Sequence, residues 1–202
     1  FVECEIDAVK TNDSFSALKQ AIGNLQETVA HLTEIAKFSR YNKEELKELN
    51  LYDFAVKALY NVKSLAKNSD CTIDNKIDKG LFVMGIEAYL DSVLLNLLTN
   101  AIKYKAENRD SHIILSTQLE KNYVVLSVKD NGLGVDLKVY GDKMFSLYKT
   151  FHKNKDSRGV GLFITKNQIE ALGGKIEVKS EVGVGTEFLV YMKHSKHFTK
   201  QH

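Results

Sequence analysis

Three glycine pairs with one residue between their members, Gly132 and Gly134, Gly159 and Gly161, Gly183 and Gly185, punctuate the C-terminal part of a chain that contains no proline. Without proline, glycine and hydrophobic periodicity must mark the element boundaries. The first pair, in DNGLGVD, directly follows the β-branched stretch NYVVLSVKD. The second, in RGVGLFITK, stands just before an apolar-periodic helix expected over Val160 to Leu172, which stops at Gly173 and Gly174. The third, in EVGVGTEF, separates KIEVKSE from TEFLVYM, two strands of a hairpin. Each pair alone reads as a tight turn. All three in this order, after a helix that carries two asparagines, are far harder to explain as turns.

The remaining elements fill in around those joints. CTIDNKI reads as a short strand and LFVM as the approach to a helix that runs from Ile86 to Lys105. HIILSTQLE and NYVVLSVKD read as paired strands, and a further helix is expected over Leu137 to Thr150. Strands that neighbour each other with helices grouped between them predict an α+β chain, a two-layer sandwich of a mixed sheet covered by helices, and not a doubly wound sheet. Upstream, Phe15, Leu18, Ile22, Leu25, Val29, Leu32 and Ala36 recur in steps of three and four. That is the seam by which a long helix joins a coiled coil or bundle; an amphipathic helix on a monomeric core also fits, and the regular spacing favours the seam. A polar join, SRYNKEELKELN, leads to Asn50, an expected N-cap with Asp53 at N3, opening a helix to about Ala66.

Composition excludes several classes. The longest apolar runs are only a few residues, so no membrane-spanning segment is expected, and FVECEIDAVK lacks a signal-peptide core. A net charge of +2 with no arginine-rich stripe argues against a nucleic-acid face. Cys4 and Cys71 lie far apart without a CxxC pattern, which points to free thiols in a reducing compartment and away from zinc. One local exception is cationic: Lys149, His152, Lys153, Lys155 and Arg158 cluster just before the second glycine pair.

The helix LLNLLTNAIKY carries the other chemical signal. At 100° per residue, Ile86, Leu90, Val93, Leu94, Leu97, Leu98 and Ala101 form one apolar arc, and Asn96, Asn100 and Lys103 line its edge. Asparagine is a poor helix former, so two of them one turn apart need a reason. Alone the strip reads as a solvated helix face. Its weight comes from the glycine joints that follow, the second of which puts free N–H groups at a helix start, where a phosphate is favoured.

NLLTNAIKY, DNGLGVD, MFSLYKTFH, RGVGLFI and GVGTEF, in that order, resemble the N, G1, F, G2 and G3 boxes of the ATP-binding catalytic domain of sensor histidine kinases. This Bergerat fold is shared with topoisomerase, mismatch-repair and heat-shock chaperone ATPases. The resemblance covers about Leu81 to His194. It implies a catalytic domain over residues 46–202 and, over residues 1–45, the second helix of a dimerisation hairpin. By resemblance, Asn100 coordinates Mg²⁺ on the nucleotide phosphates, with Asn96 beside it, Lys103 reaching a phosphate and Tyr104 near the nucleotide. Asp130 accepts the adenine 6-amino group, which selects ATP over GTP, and Gly132 and Gly134 let the backbone approach the base. Lys149 and Arg158 belong to the lid over the phosphates, Gly159, Gly161 and Leu162 to the G2 box, and Thr186 helps hold the Asp130 end of the pocket.

One position separates two chemistries. Hydrolytic relatives carry a glutamate four residues before the Mg²⁺ asparagine as general base on water; here that residue is Asn96, which cannot take a proton at neutral pH. The resemblance therefore implies a protein-histidine kinase that uses ATP and Mg²⁺, dimerises through its N-terminal helix and relays phosphate to a response-regulator receiver domain. A nucleotide-gated interaction module and an ATP hydrolase are the alternatives. The family's H box is absent, and VAHLTEI around His31 lacks its pattern, so the phosphoacceptor is expected on a helix outside this sequence. The expected location is cytoplasmic, compatible with a membrane anchor elsewhere in the full-length protein.

Overall fold

The computed structural model describes residues 46–141, 144–146 and 160–195. The heptad stretch Phe15 to Ser39 with His31, and the segment with Lys149, Arg158 and Gly159, lie outside the described residues.

The first helix, α1 (Leu51–Asn68), starts where the sequence places it. Asn50 is its N-cap: Oδ1 accepts from the backbone N–H groups of Tyr52 at 2.9 Å and Asp53 at 3.4 Å. Two of the orphan donors of the first turn are thereby satisfied. Leu51, Ala55, Ala58, Val62 and Ala66 form its buried stripe. Its far end is closed by Lys105, whose ammonium donates to the Ser69 carbonyl at 2.7 Å, a cation at the negative end of the helix.

The second helix, α2 (Glu87–Lys103), buries Tyr89, Leu90, Val93, Leu94, Leu97, Leu98, Ala101 and Ile102. Leu94, Leu97 and Leu98 are fully buried, and truncating any of them to alanine would cost about 2–5 kcal/mol. This core face lies on a five-stranded mixed sheet of order β2-β4-β5-β7-β6. Its strands are β2 (Cys71–Lys76), β4 (Ser111–Glu120), β5 (Tyr123–Asp130), β7 (Gly185–Lys193) and β6 (Lys175–Glu181). Only the β2–β4 pair is parallel; every other neighbour is antiparallel. Ile113, Leu115, Val124, Leu126, Val128, Phe188, Val190 and Met192 point from the sheet into the same core as the helices. A last helix, α4 (Gly161–Ala171), adds Ile169 to that core. The two-layer sandwich of mixed sheet and helices is thus present as expected.

On the other face the alternate residues Val125, Leu189 and Tyr191 make a separate apolar cluster. A groove of about 370 Å³ lies there, lined among others by Gln118, Ser127 and Glu187.

Two local expectations change. LFVM is not a helix approach: Phe82–Gly85 is strand β3, paired antiparallel with β1 (Lys47–Asn50), which the sequence reads as part of a polar join. Four residues are too few for a strand period to show, and a short apolar run does not distinguish strand from helix. The helix expected over Leu137 to Thr150 is described only as the single turn α3 (Leu137–Tyr140), with Gly141 as its C-cap. Asp136 caps its start, accepting from Lys138 N–H at 2.9 Å, and Met144 to Ser146 are turn and bend rather than helix.

Candidate functional site

Strand β5 ends at Asp130, half-buried where the β5 and β7 ends meet. Its Oδ1 accepts from Gly132 N–H at 2.8 Å and from Thr186 N–H at 3.1 Å. Both bonds fall on one oxygen, which leaves Oδ2 without a partner among the described residues. Burial pushes the Asp130 carboxyl above the usual aspartate range, and the two N–H donors only partly offset that push. A desolvated carboxylate with one oxygen anchored and the other available is suited to accept an exocyclic amine. The link to Thr186 runs through its backbone; the Thr186 hydroxyl instead pairs with Ser180 Oγ at 2.9 Å.

The loop after Asp130 is held on every side by backbone-directed bonds. Asn131 continues the β4 edge, accepting from His112 N–H at 2.8 Å and donating to the Asp110 carbonyl at 2.8 Å. Leu133 N–H donates to the Tyr104 carbonyl at 2.9 Å, which ties the loop to the end of α2. Gly183 N–H donates to the Leu133 carbonyl at 2.8 Å, and Ser180 Oγ accepts from Val135 N–H at 2.8 Å. Gly134 has φ +66°, and the space a Cβ would take there is filled by the Glu181 carbonyl. The close approach that demands glycine is therefore between two segments of this chain.

Arg109 is a site residue that the sequence does not reveal. Its Nη2 donates to the Gly132 carbonyl at 3.0 Å and to the Gly183 carbonyl at 2.6 Å, joining the first and third glycine loops. A single arginine between ENRD charges gives no local signal, because both partners are backbone atoms far along the chain. Arg109→Ala is expected to cost about 1 kcal/mol, a fall of about 2–4 °C in Tm, and to weaken nucleotide binding several-fold. Thermal denaturation with and without nucleotide checks this; no change in either makes Arg109 a surface side chain only.

The amides of α2 form the other end. Asn96 Nδ2 donates to Thr165 Oγ1 on α4 at 2.8 Å, and Asn100 Nδ2 lies 3.4 Å from Asn96 Oδ1. The Asn96 amide occupies the space that a Cβ on Gly161 would need. The glycine joint before α4 thus seats the asparagine as well as opening a helix. Leu162 is half-buried against the core. Lys103, the last residue of α2, has no hydrogen-bond or ion-pair partner among the described residues. Tyr104 caps the helix, its N–H donating to the Asn100 carbonyl at 3.0 Å. The described part of the expected lid region is anchored: Met144 is buried, and Phe145 packs on the core beneath the Lys166 ammonium, 5.8 Å from its ring centre.

The structure therefore brings Asn96, Asn100, Gly161, Leu162, Tyr104, Asp130, Gly132, Gly134 and Thr186 into one connected frame; Lys149, Arg158 and Gly159 fall outside the described residues. Among the described residues no cluster of three or more His, Cys, Asp or Glu could cage a metal ion. The Asn100 amide oxygen, however, has no partner there. A lone neutral oxygen fits a hard cation that keeps its waters and is held mainly by phosphates, and does not fit zinc. No helix among the described residues is long and apolar enough to cross a membrane.

Comparison with known proteins gives the family and the fold. Sensor protein RprX of Bacteroides fragilis is 26% identical over 194 residues, covering 84% of this chain and 37% of RprX. The methanogenesis regulatory histidine kinase FilI of Methanothrix harundinacea is 36% identical over 97 residues, covering 48% of this chain and 11% of FilI. The chain thus spans well under half the length of these curated relatives. The catalytic domain of histidine kinase ThkA has the same fold, with a TM-score of 0.65 at 23% identity over 74% of this chain and 95% of that domain. The sequence profile of the histidine kinase-, DNA gyrase B- and HSP90-like ATPases matches residues 85–196, a span that holds both Asp130 and Asn100. The chain belongs to the histidine kinase-, DNA gyrase B- and HSP90-like ATPase family.

Proposed function

We propose that this chain is the ATP-binding catalytic core of a sensor histidine kinase, which transfers the ATP γ-phosphate to a protein histidine for relay to a response-regulator aspartate. The names of its relatives support the kinase class, and one observation carries the choice within the family. The residue one turn before Asn100 is Asn96, whose amide is engaged by Thr165 and Asn100, and no carboxylate stands in its place. An amide cannot activate water, so the site favours transfer to a nucleophile that brings its own lone pair.

In this reading Asp130 takes the adenine amine on its outward oxygen. Asn100 Oδ1 would hold Mg²⁺, which would offset the charge of the phosphates. Lys103, Lys149 and Arg158 would add cations around the triphosphate. The chain's contribution is positioning and charge stabilisation, which phosphoryl transfer chiefly needs. The heptad stretch in residues 1–45 would pair two copies, and the receiver domain of a response regulator would take the phosphoryl group.

The test is incubation with γ-labelled ATP and Mg²⁺ together with a first-helix fragment carrying an H-box histidine. Acid-labile label on the fragment is expected. Absence of label despite measured ATP binding would replace the kinase with a nucleotide-gated interaction module.

A further inference from the structure

Thr165 is an unusual residue to find at the centre of a helix–helix seam. It is 1% exposed, on α4, and its hydroxyl accepts from Asn96 across that seam at 2.8 Å. A buried hydroxyl without a partner would cost about 1–3 kcal/mol, so the pair is mutually required. Its further consequence is that the Asn96 side chain is anchored from α4.

The contacts form one relay from α4 to the edge of α2. With Nδ2 of Asn96 committed to Thr165, Oδ1 of Asn96 is the end turned to Asn100, and it takes Asn100 Nδ2 at 3.4 Å. Asn100 then presents Oδ1, the end with no partner among the described residues. Gly161 closes the remaining side, since the Asn96 amide fills its missing Cβ position.

We infer that Thr165 is a positioning residue for the metal-bound phosphates: by anchoring the Asn96 amide on the helix–helix seam it holds Asn100 in the pose in which its amide oxygen faces Mg²⁺. This rests on the proposed reading of Asn100 as the Mg²⁺ ligand. Valine at 165 keeps the volume but cannot accept a hydrogen bond, and serine keeps the hydroxyl.

Calorimetric titration with the non-hydrolysable analogue AMP-PNP, with Mg²⁺ and with chelator, gives the gain in affinity due to the metal. Thr165→Val is expected to cut that gain about tenfold, the worth of one lost hydrogen bond, while metal-free affinity stays within twofold. Thr165→Ser is expected to restore it. A gain in Thr165→Val equal to that of the unaltered chain, or an equal loss with and without metal, overturns the positioning role. No metal gain in the unaltered chain would instead overturn the Asn100 site itself. Should Thr165→Val fail to fold, the side-chain amides of the unaltered chain decide. Slow water exchange at the Asn96 NH₂ is expected, and exchange as fast as a free asparagine's overturns the inference.

Discussion

Asp130→Asn is expected to lower ATP affinity by about a hundredfold while leaving the fold intact. The backbone donors of Gly132 and Thr186 will hold the amide oxygen where they now hold Oδ1, which turns the new NH₂ outward. A donor then faces the adenine amine where a charged acceptor stood, and hydrogen bonds to charged groups are worth about 1.5–3 kcal/mol. Stability should move the other way. Burial holds the Asp130 carboxyl above its ordinary value, so the folded chain binds more protons than the unfolded one between the two values. The stability this group contributes is full below the ordinary aspartate value and is lost as pH rises through the raised one. At neutral pH the ionised carboxylate is a burden that the amide removes. Asp130→Asn is therefore expected to melt no lower than the unaltered chain at pH 7, and to show less loss of stability between acid and neutral pH. Nucleotide affinity of the unaltered chain should fall on acidification through that raised value, as the acceptor gains a proton. Calorimetry and thermal melts across pH check both; unchanged ATP affinity in Asp130→Asn removes Asp130 from the site.

Asn100→Ala carries the second large effect. Removing a stabilising contact aimed at transition-state charge typically costs about 10²–10³ in rate, and that loss is expected in γ-phosphate transfer. Metal-free nucleotide affinity should change by less than about threefold, because the Asp130 end is untouched. The helix itself should gain about 0.5 kcal/mol, since alanine is the better helix former and the bond to Asn96 is long at 3.4 Å. A variant more stable and less active is the signature of a residue kept for chemistry. Transfer at the unaltered rate would reduce Asn100 to a surface amide.

The helix that carries these amides was legible because seventeen residues are long enough for a 3.6-residue period to dominate. Leu90, Val93, Leu94, Leu97, Leu98 and Ala101 all lie buried as their spacing requires. Asn50 was legible as a cap because capping is chemistry between near neighbours. What remained hidden involves partners distant in sequence. The β1–β3 ribbon joins segments about 35 residues apart through backbone bonds that no side-chain pattern records. Thr165 looks like any helical threonine until Asn96, 69 residues earlier, is seen against it. Arg109 reaches Gly183, 74 residues on, and bonds only carbonyls. Glycine pairs drew attention to the candidate site, but the reasons for glycine at 134 and 161 lie in the chain's own contacts with Glu181 and Asn96.

Nucleotide is expected to bind between the Asp130 loop and the amides of α2. The groove on the opposite sheet face, beside Val125, Leu189 and Tyr191, is the competing location. Titration of the isotopically labelled chain with AMP-PNP and Mg²⁺, followed residue by residue by NMR, separates them. The largest shifts are expected at the backbone amides of Gly132 and Thr186 and at the side-chain amides of Asn96 and Asn100. Shifts confined to Ser127, Leu189 and Tyr191, with Gly132 and Asn100 unmoved, would contradict it.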